Sequence, residues 1–428
     1  MDYIVNTPCG LVRGCAGRVS GTAAYKGIRY ATAGRWEYPE QVTAWDGVYD
    51  ATNYGNCAYQ PRAFCNEEEN PKKYFYYNEF RKGNSYTYSE DCLFLNVFAP
   101  KNAAEGDKLP VIVYFHGGSF TGGSGHEKHF DGPVWPAKGV IGVTVNYRLG
   151  PLGFLCLPEL KEEAGKTGNY GLYDQLTAVK WVKDNISAFG GDSENITLMG
   201  QSAGAMSIQL HCLSPLGEGL YQKAVMCSGS GVSKLMSYAP AERSYNFWKA
   251  VMSMAGCESL EQFRAISPEK LFETWQQAKK EVKGGGVAAF PCVDGELVTG
   301  SGVDILKAGK HKNIPYMCGA TGDDFGAPFL FSMAKKWCDA QKTPSFTWLF
   351  DRKLPGDDKG AWHSSDLWYW FGTLENCWRP MGEYDYALSD KMSDYSTNFA
   401  KYGDPNGEGL PRWNYGGKEV LMIDDSKN

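Results

Sequence analysis

Unbroken runs of apolar residues recur through the middle of the chain and predict strands that are buried on both faces. The run at 111–115 consists of Val, Ile, Val, Tyr and Phe, and 140–145 repeats the pattern. Such runs suit strands without a solvent-facing side, as in parallel sheets covered by helices. Four more strands of this kind are predicted, at 195–199, 223–227, 314–319 and 345–350.

Segments with helical spacing of apolar residues separate these runs. One helix is predicted over 173–189, where Gly190 and Gly191 supply a stop signal. A second is predicted from 202 to about 213, and a last one ends at Gly403. Strands that alternate with helices predict an α/β fold built on a doubly wound, mostly parallel sheet.

The 428 residues contain no linker, internal repeat or low-complexity tract. A single domain is therefore predicted over 1–428. Short strands and turns are expected over 1–50, followed by an irregular excursion over 53–90. The segment 232–312 is helical and polar, and is predicted to be an insertion that covers the carboxyl edge of the sheet.

Composition narrows the range of partners. The net charge of −6 and the pI of about 5.7 argue against a general nucleic-acid binder, which needs a basic face. No apolar run is long enough for a membrane span. The 13 cysteines and the absence of a recognisable signal peptide favour a cytoplasmic protein, with a secreted mature chain as the alternative. A monomer or small homo-oligomer is expected.

The candidate chemistry centres on Gly200-Gln201-Ser202-Ala203-Gly204, the one match to G-x-S-x-G in the chain. It follows a predicted strand and opens a predicted helix, so a sharp turn would lift the Ser202 hydroxyl off the carboxyl edge of the sheet. The simpler alternative is an ordinary glycine-rich turn with a helix-capping serine.

A serine hydroxyl becomes a good nucleophile only when a base takes its proton. Of the 6 histidines, His211 shares the predicted helix with Ser202 and cannot reach back. His116 lies in a glycine-rich loop, and three others lie in polar or exposed segments. In folds with this turn the base follows the last strand, which selects His363. The alternative is a surface-loop histidine.

A carboxylate should orient that histidine from the end of the preceding strand. Asp323 and Asp324 follow the strand predicted at 314–319, and both qualify by position. The alternative is that both merely cap a loop or helix.

Backbone donors for an oxyanion are expected in the loop after the strand at 111–115. The sequence His116-Gly117-Gly118-Ser119 stands where lipase-type glycine loops lie, and the amide of Ala203 would add a donor. A plain glycine turn is the alternative. No metal or cofactor is predicted, since 126–129 falls one residue short of H-E-x-x-H and no C-x-x-C or phosphate loop occurs.

With these motifs the chain resembles the type-B carboxylesterase/lipase family, which includes the cholinesterases. The resemblance covers nearly the whole chain, and its most specific segments are 25–31, 89–97, 146–154, 168–175 and 189–204. It implies an α/β-hydrolase fold.

The resemblance also implies roles for individual residues. Ser202 would be the nucleophile, Asp324 the acid and His363 the base. The oxyanion would be held by the amides of Gly118, Ser119 and Ala203, next to Gly117. Ser228 and Gln201 would lie next to these groups and help to position them.

The chain departs from the family pattern around the acid. Asp324 stands where the family usually has Glu, Phe325 where Gly is expected, and Ser119 replaces a further Gly. Only 38 residues separate Asp324 from His363, which predicts a trimmed wall over the site. Some relatives have a disulfide at the positions of Cys57 and Cys92, and the resemblance leaves that pairing open here.

The expected function is hydrolysis of neutral, apolar or aromatic esters of small molecules through an acyl-enzyme. A lipase or a thioesterase would use the same residues. A non-catalytic, cholinesterase-like interaction protein is the third possibility, but such proteins normally lack the serine or the histidine.

Overall fold

The computed structural model describes residues 3–231, 238–282 and 289–424. The strands within these ranges are β1 (Ile4–Thr7), β2 (Gly10–Arg13), β3 (Cys15–Ala16), β4 (Thr22–Arg29), β5 (Ala31–Thr32), β6 (Glu40–Gln41), β7 (Val48–Asp50), β8 (Cys57–Ala58), β9 (Tyr88–Ser89), β10 (Phe94–Pro100), β11 (Leu109–Phe115), β12 (Ile141–Val145), β13 (Gly191–Gln201), β14 (Lys223–Cys227), β15 (Tyr316–Thr321), β16 (Ser345–Phe350) and β17 (Gly416–Ile423).

The helices of the same ranges surround these strands. They are α1 (Tyr74–Phe80), α2 (Gly150–Phe154), α3 (Pro158–Ala164), α4 (Tyr170–Asn185), α5 (Ala203–Leu213), α6 (Tyr245–Met254), α7 (Leu260–Ala265), α8 (Pro268–Glu281), α9 (Gly302–Lys307), α10 (Ala327–Asp339), α11 (Leu367–Phe371) and α12 (Glu383–Tyr402). Across the described part of the chain, no helix combines the length and apolar character needed to cross a membrane.

Ten strands form the central sheet, in the order β17-β16-β15-β14-β13-β11-β12-β10-β4-β3. The strands from β17 to β12 pair in parallel, whereas β10, β4 and β3 pair antiparallel with their neighbours. The α/β-hydrolase fold predicted from the sequence is therefore correct. The parallel pairing places the carboxyl ends of β11, β13, β15 and β16 at one edge.

The continuous apolar runs exist because the sheet is covered on both sides. Along β11, Val111, Val113 and Phe115 belong to one buried cluster. The intervening Ile112 and Tyr114 belong to another. Successive side chains of a strand point to opposite faces, so both faces of β11 have to be apolar.

Most of the predicted elements are present, but strands of the central sheet were missed, among them β10 and β17. The strands predicted at 223–227 and 345–350 coincide with β14 and β16, and the one predicted at 314–319 is shifted to Tyr316–Thr321. The prediction that 345–350 is the last strand was wrong, because β17 follows at the edge of the sheet. Three of the eight residues of β17 are exposed, and its apolar run covers only positions 420–423.

The described part of 232–312 is helical, as predicted, and contributes to a third buried cluster. Trp248, Phe263 and Trp275 from α6, α7 and α8 pack there together with Phe120, which lies just beyond the glycine loop. The assignment of this segment as an insertion within one domain stays a prediction.

A buried ion pair connects three separate stretches of chain. The guanidinium of Arg148 donates to both carboxylate oxygens of Asp174 on α4, at 2.9 and 2.7 Å, and the Arg148 amide adds a third bond at 3.0 Å. The same guanidinium donates to the carbonyls of Gly34 and Glu37. Both side chains are almost fully buried.

Asp174→Asn should destabilise the protein by about 3–5 kcal/mol, because it leaves the Arg148 charge buried without a counterion. The free energy of unfolding, measured by urea denaturation, tests this. Asp184→Asn on the exposed side of the same helix is the control and should cost less than about 1 kcal/mol. Equal effects of the two substitutions would contradict the assignment.

Candidate active site

Ser202 occupies a strained turn between β13 and α5. Its backbone has φ 54° and ψ −122°, a conformation that residues other than glycine rarely adopt. A Cβ at Gly204 would lie 2.0 Å from the Phe115 carbonyl oxygen, and one at Gly200 would lie 2.6 Å from the backbone of Gly204. Both glycines of G-x-S-x-G are therefore required by close backbone packing.

A cavity of about 400 Å³ opens in front of Ser202 at the carboxyl edge of the sheet. Most of the predicted site residues line it, although they are far apart in sequence. These are Gly117, Gly118, Ser119, Gln201, Ser202, Ser228 and His363.

His363 is oriented by Asp324. The imidazole Nδ1 lies 2.5 Å from Asp324 Oδ1, and the Thr321 hydroxyl donates to Asp324 Oδ2 at 3.0 Å. Burial opposes ionisation of this carboxyl group, but the hydrogen bond from His363 and its charge outweigh burial and lower the pKa of Asp324. Asp324 thus stays ionised and holds the proton of His363 on Nδ1.

The structure separates the two aspartates that sequence position left equivalent. Asp323 points away from the imidazole, and its Oδ2 accepts hydrogen bonds from Lys353 Nζ at 2.6 Å and from the Ala361 amide at 2.8 Å. The side chain of Asp323 is 47% exposed, whereas that of Asp324 is fully buried.

Gln201 contacts the other nitrogen of His363. Its side-chain Nε2 lies 3.0 Å from His363 Nε2, so the amide donates to the imidazole. Among the contacts of the described residues, no hydrogen bond joins Ser202 Oγ to His363. Proton transfer from Ser202 therefore requires Nε2 to exchange its partner, a rearrangement that substrate binding commonly completes.

The glycine loop after β11 approaches Ser202 closely. Gly118 has φ +112°, and a Cβ there would lie 2.1 Å from the Gly122 carbonyl oxygen, so only glycine fits. A Cβ at Gly117 would lie 3.0 Å from Cβ of Ser202. Ala203 is buried at the first position of α5, where helix geometry leaves its N–H without an intrahelical acceptor.

Buried His116 fixes this loop. Its ring stacks on Tyr147, whose hydroxyl donates to the His116 carbonyl at 2.7 Å. Burial lowers the pKa of His116 to about 4, so the ring is neutral near pH 7 and its Nδ1–H donates to the Gly117 carbonyl at 2.8 Å.

Ser228, which the family resemblance places near the acid, lines the same cavity as Ser202 and His363. It is buried and takes up positive φ directly after β14. Its hydroxyl makes no hydrogen bond of normal geometry with a described residue, although its proximity contributes to the low pKa of Asp324.

Asp366 is a buried acid beside the site that the sequence analysis left without a role. Trp370 Nε1 donates to its Oδ2 at 3.1 Å, and Oδ1 has no hydrogen-bond partner among the described residues. Burial raises the pKa of Asp366 to about 7, and the charge of Asp324 adds to this rise. The sequence signal was present: an acid inside an aromatic run, three residues after His363.

Two arginines in the cavity wall were also missed, and the carboxylates of Glu67 and Glu127 balance their charges. Arg62 and Arg81 both donate to Glu127 Oε1, at 2.6 and 3.3 Å. Burial opposes ionisation of Glu127, but the two arginines lower its pKa to about 2. These residues come from separate segments of the chain, so no local sequence motif indicates them.

The cysteines that the resemblance left open, Cys57 and Cys92, are free thiols in the structure. Cys57 Sγ lies 3.4 Å from Nε2 of His126. Across the described ranges, no group of three or more His, Cys, Asp or Glu side chains is arranged to hold a metal ion.

Comparison with known proteins identifies relatives over most of the chain. The profile of the carboxylesterase family matches residues 1–342 and 327–427. A para-nitrobenzyl esterase of Bacillus subtilis is 37% identical over 75% of this chain, and a fumonisin B1 esterase of Sphingopyxis macrogoltabida is 33% identical over 74%. The alignments span only 63% and 56% of the length of those two relatives, so a large part of each relative lies outside the alignment.

Solved structures agree with this result. A PNB esterase superimposes with a TM-score of 0.84 at 29% identity, over 99% of this chain and 96% of the other. An esterase from Clostridium hathewayi, described as hydrolysing aliphatic aromatic polyesters, gives a TM-score of 0.84 at 25% identity, over 98% of this chain and 94% of its own.

The contrast between the two aspartates can be tested directly. Asp324→Asn should lower kcat for ester hydrolysis by about 10³–10⁴, because the imidazole loses its orienting charge and its tautomer. Asp323→Asn should change kcat by less than about tenfold, because a solvated carboxylate adds little to transition-state binding. Steady-state rates of both variants on one ester, with folding checked by circular dichroism, decide between them. A larger loss in Asp323→Asn would reverse the assignment.

Asp366 predicts a specific pH dependence of stability. The folded-state pKa of Asp366, about 7, exceeds the ordinary value of 3.8. The protein therefore loses stability as the pH rises from the ordinary pKa to the folded-state pKa. Asn cannot ionise. The advantage of Asp366→Asn over wild type in free energy of unfolding should therefore grow from pH 5 to 7, by at most about 1.4 kcal/mol per pH unit. Urea denaturation at several pH values measures it, and a difference independent of pH would contradict the prediction.

Proposed function

The chain belongs to the carboxylesterase family, and from this we propose that it hydrolyses carboxylic esters through a covalent acyl-enzyme on Ser202. The observation that carries the proposal is the buried Asp324 carboxylate, 2.5 Å from His363 Nδ1, in a site where His363 and the strained Ser202 line one cavity. That arrangement holds the imidazole with Nε2 unprotonated, as a general base requires.

The proposed reaction has two halves that use the same groups. In acylation, Ser202 Oγ attacks the ester carbonyl carbon while its proton passes to His363 Nε2. When the tetrahedral intermediate collapses, the bond to the alcohol oxygen breaks and His363 returns the proton to that oxygen. In deacylation, water replaces the alcohol, and the acid is released with Ser202 restored.

The oxyanion formed in each half would be held by backbone amides of the glycine loop and of Ala203. The loop lies beside Ser202, since a Cβ at Gly117 would lie 3.0 Å from Cβ of Ser202. Donors that are fixed before reaction need no reorganisation when charge develops, and removal of one such donor typically costs about 10²–10³ in kcat. We assign Gly118, Ser119 and Ala203 to this role, with Gly117 completing the loop.

The cavity supports neutral, apolar or aromatic esters as substrates. Its wall carries the side chains of Tyr76, Phe80, Phe130 and Leu330. The charges of the two lining arginines are already balanced by Glu67 and Glu127, so these arginines do not call for an ionic substrate. The name of the Bacillus relative points to aromatic alcohols in the same direction. A volume of about 400 Å³ suits a small ester better than a long acyl chain.

Cellular context remains a proposal. We expect a cytoplasmic protein, monomeric or a small homo-oligomer, and the 13 free thiols support a reducing compartment. The net charge of −6 supports the absence of a nucleic-acid partner.

Ser202→Ala should lower kcat by about 10⁴–10⁶ and leave the fold intact, because the other groups of the triad cannot act without the nucleophile. Hydrolysis of a 4-nitrophenyl ester gives the rate. A fluorophosphonate probe with peptide mapping should label wild type at Ser202 alone. Ser119→Ala is the control and should keep most of the activity, since only its amide is used. An active Ser202→Ala variant, or labelling elsewhere, would refute the mechanism.

A further inference from the structure

Phe325 is a large apolar side chain exposed at the edge of the candidate active site. It follows Asp324 directly, and at 69% exposure it is the most exposed phenylalanine of the described residues. Its ring centroid lies 5.0 Å from that of the His363 imidazole, at an interplanar angle of 43°, and the side chain lines the cavity. The His363 side chain is only 12% exposed, whereas most of Phe325 is open to solvent.

The position of the ring relative to the reacting groups indicates which half of an ester it meets. The carbonyl oxygen would point to Gly118 and Ser119, whereas the alcohol oxygen has to lie within reach of His363, which returns its proton. Phe325, whose ring packs beside the imidazole, therefore borders the alcohol. Leu330, from the second turn of α10, lines the cavity as well and extends this apolar border.

The surrounding chain keeps Phe325 in this place. Asp324 is held by His363 and Thr321, and Gly326 takes positive φ immediately before α10. The Ala327 amide donates to the Asp324 carbonyl at 3.1 Å, which closes a tight turn around Phe325. The ring thus stands on an anchored turn, although its surface is open.

We propose that Phe325 is a specificity-determining residue that selects esters of aromatic alcohols, by stacking on the leaving group beside His363. The inference rests on the proposed ester hydrolysis, and it identifies the alcohol half of the ester as the part that Phe325 contacts. Benzyl alcohols fit, because a methylene separates their oxygen from a ring that can reach the Phe325 face. An offset or edge-to-face pair of rings is favoured beyond simple burial, so the expected preference is about tenfold.

The two-step reaction makes the proposal specific to acylation. The alcohol leaves before water attacks, so Phe325 should affect kcat/KM for formation of the acyl-enzyme and not the rate at which a given acyl-enzyme is hydrolysed. The reverse step passes through the same transition state. An aromatic alcohol should therefore be the better acceptor when the acyl-enzyme transfers its acyl group to an alcohol in place of water.

The first experiment compares ethyl acetate, benzyl acetate and benzyl butyrate with wild type, Phe325→Ala and Phe325→Leu. Phe325→Ala should lower the benzyl-to-ethyl ratio of kcat/KM about tenfold and leave the butyrate-to-acetate ratio within about twofold. Phe325→Leu keeps apolar area without a ring and should fall between. Phe329→Ala is the matched control, since Phe329 is 44% exposed on α10 and does not line the cavity. It should behave as wild type.

The second experiment measures how the acetyl-enzyme partitions between water and added benzyl alcohol or methanol. Phe325→Ala should lose the preference for benzyl alcohol, with an unchanged rate of hydrolysis. An unaltered benzyl-to-ethyl ratio, or an equal loss for both acetates with a displaced pH profile, would overturn the inference and leave the hydrolysis proposal standing. A wild type that hydrolyses none of the three esters would instead refute the proposed function, and the inference with it.

Discussion

The site depends on one backbone constraint, the turn at Ser202. Strand β13 ends and α5 begins within a single residue, and the chain adopts an unfavourable φ and ψ there. Strain of this kind costs about 1–3 kcal/mol and persists only where the surroundings fix it. The surroundings do so here: the Ser202 amide donates to the Cys227 carbonyl at 2.9 Å, and a Cβ at Gly229 would lie 2.3 Å from the Ser202 carbonyl oxygen. The serine is held out of the sheet by packing on both sides.

The other groups reach Ser202 because parallel strands end at one edge. The glycine loop follows β11, the acid follows β15 and the histidine follows β16, so residues hundreds of positions apart share a cavity. Opposite charges then balance near the wall, where Glu67 and Glu127 pair with Arg62 and Arg81. With these charges balanced, the His363–Asp324 pair and the nearby backbone amides are the polar groups left to interact with a substrate.

The sequence predicted these features where they leave a local signature. Continuous apolar runs revealed the buried strands, and the glycine spacing revealed the turn, because each is required by packing within a few residues. β17 has only four consecutive apolar residues, at 420–423, after two glycines and two exposed charged residues, so its run did not stand out. The choice between Asp323 and Asp324, the contact of Gln201 with His363, and the burial of Asp366 depend on side-chain directions and on distant segments. No local pattern encodes these.

His116, the neutral histidine beneath the glycine loop, affects the stability of the protein in acid without taking part in the proposed reaction. Burial lowers the pKa of His116 and of nearby His126 to about 4, and that of His129 to about 3. An unfolded chain takes up these protons near the ordinary pKa of histidine, about 6.5. Acidification below that value therefore favours unfolding through three side chains, none of which takes part in the proposed proton transfer. Resistance to acid unfolding therefore depends on these three rings, whereas the proposed catalysis depends on Ser202, His363 and Asp324. Replacing the rings is expected to change the first without altering the residues of the second.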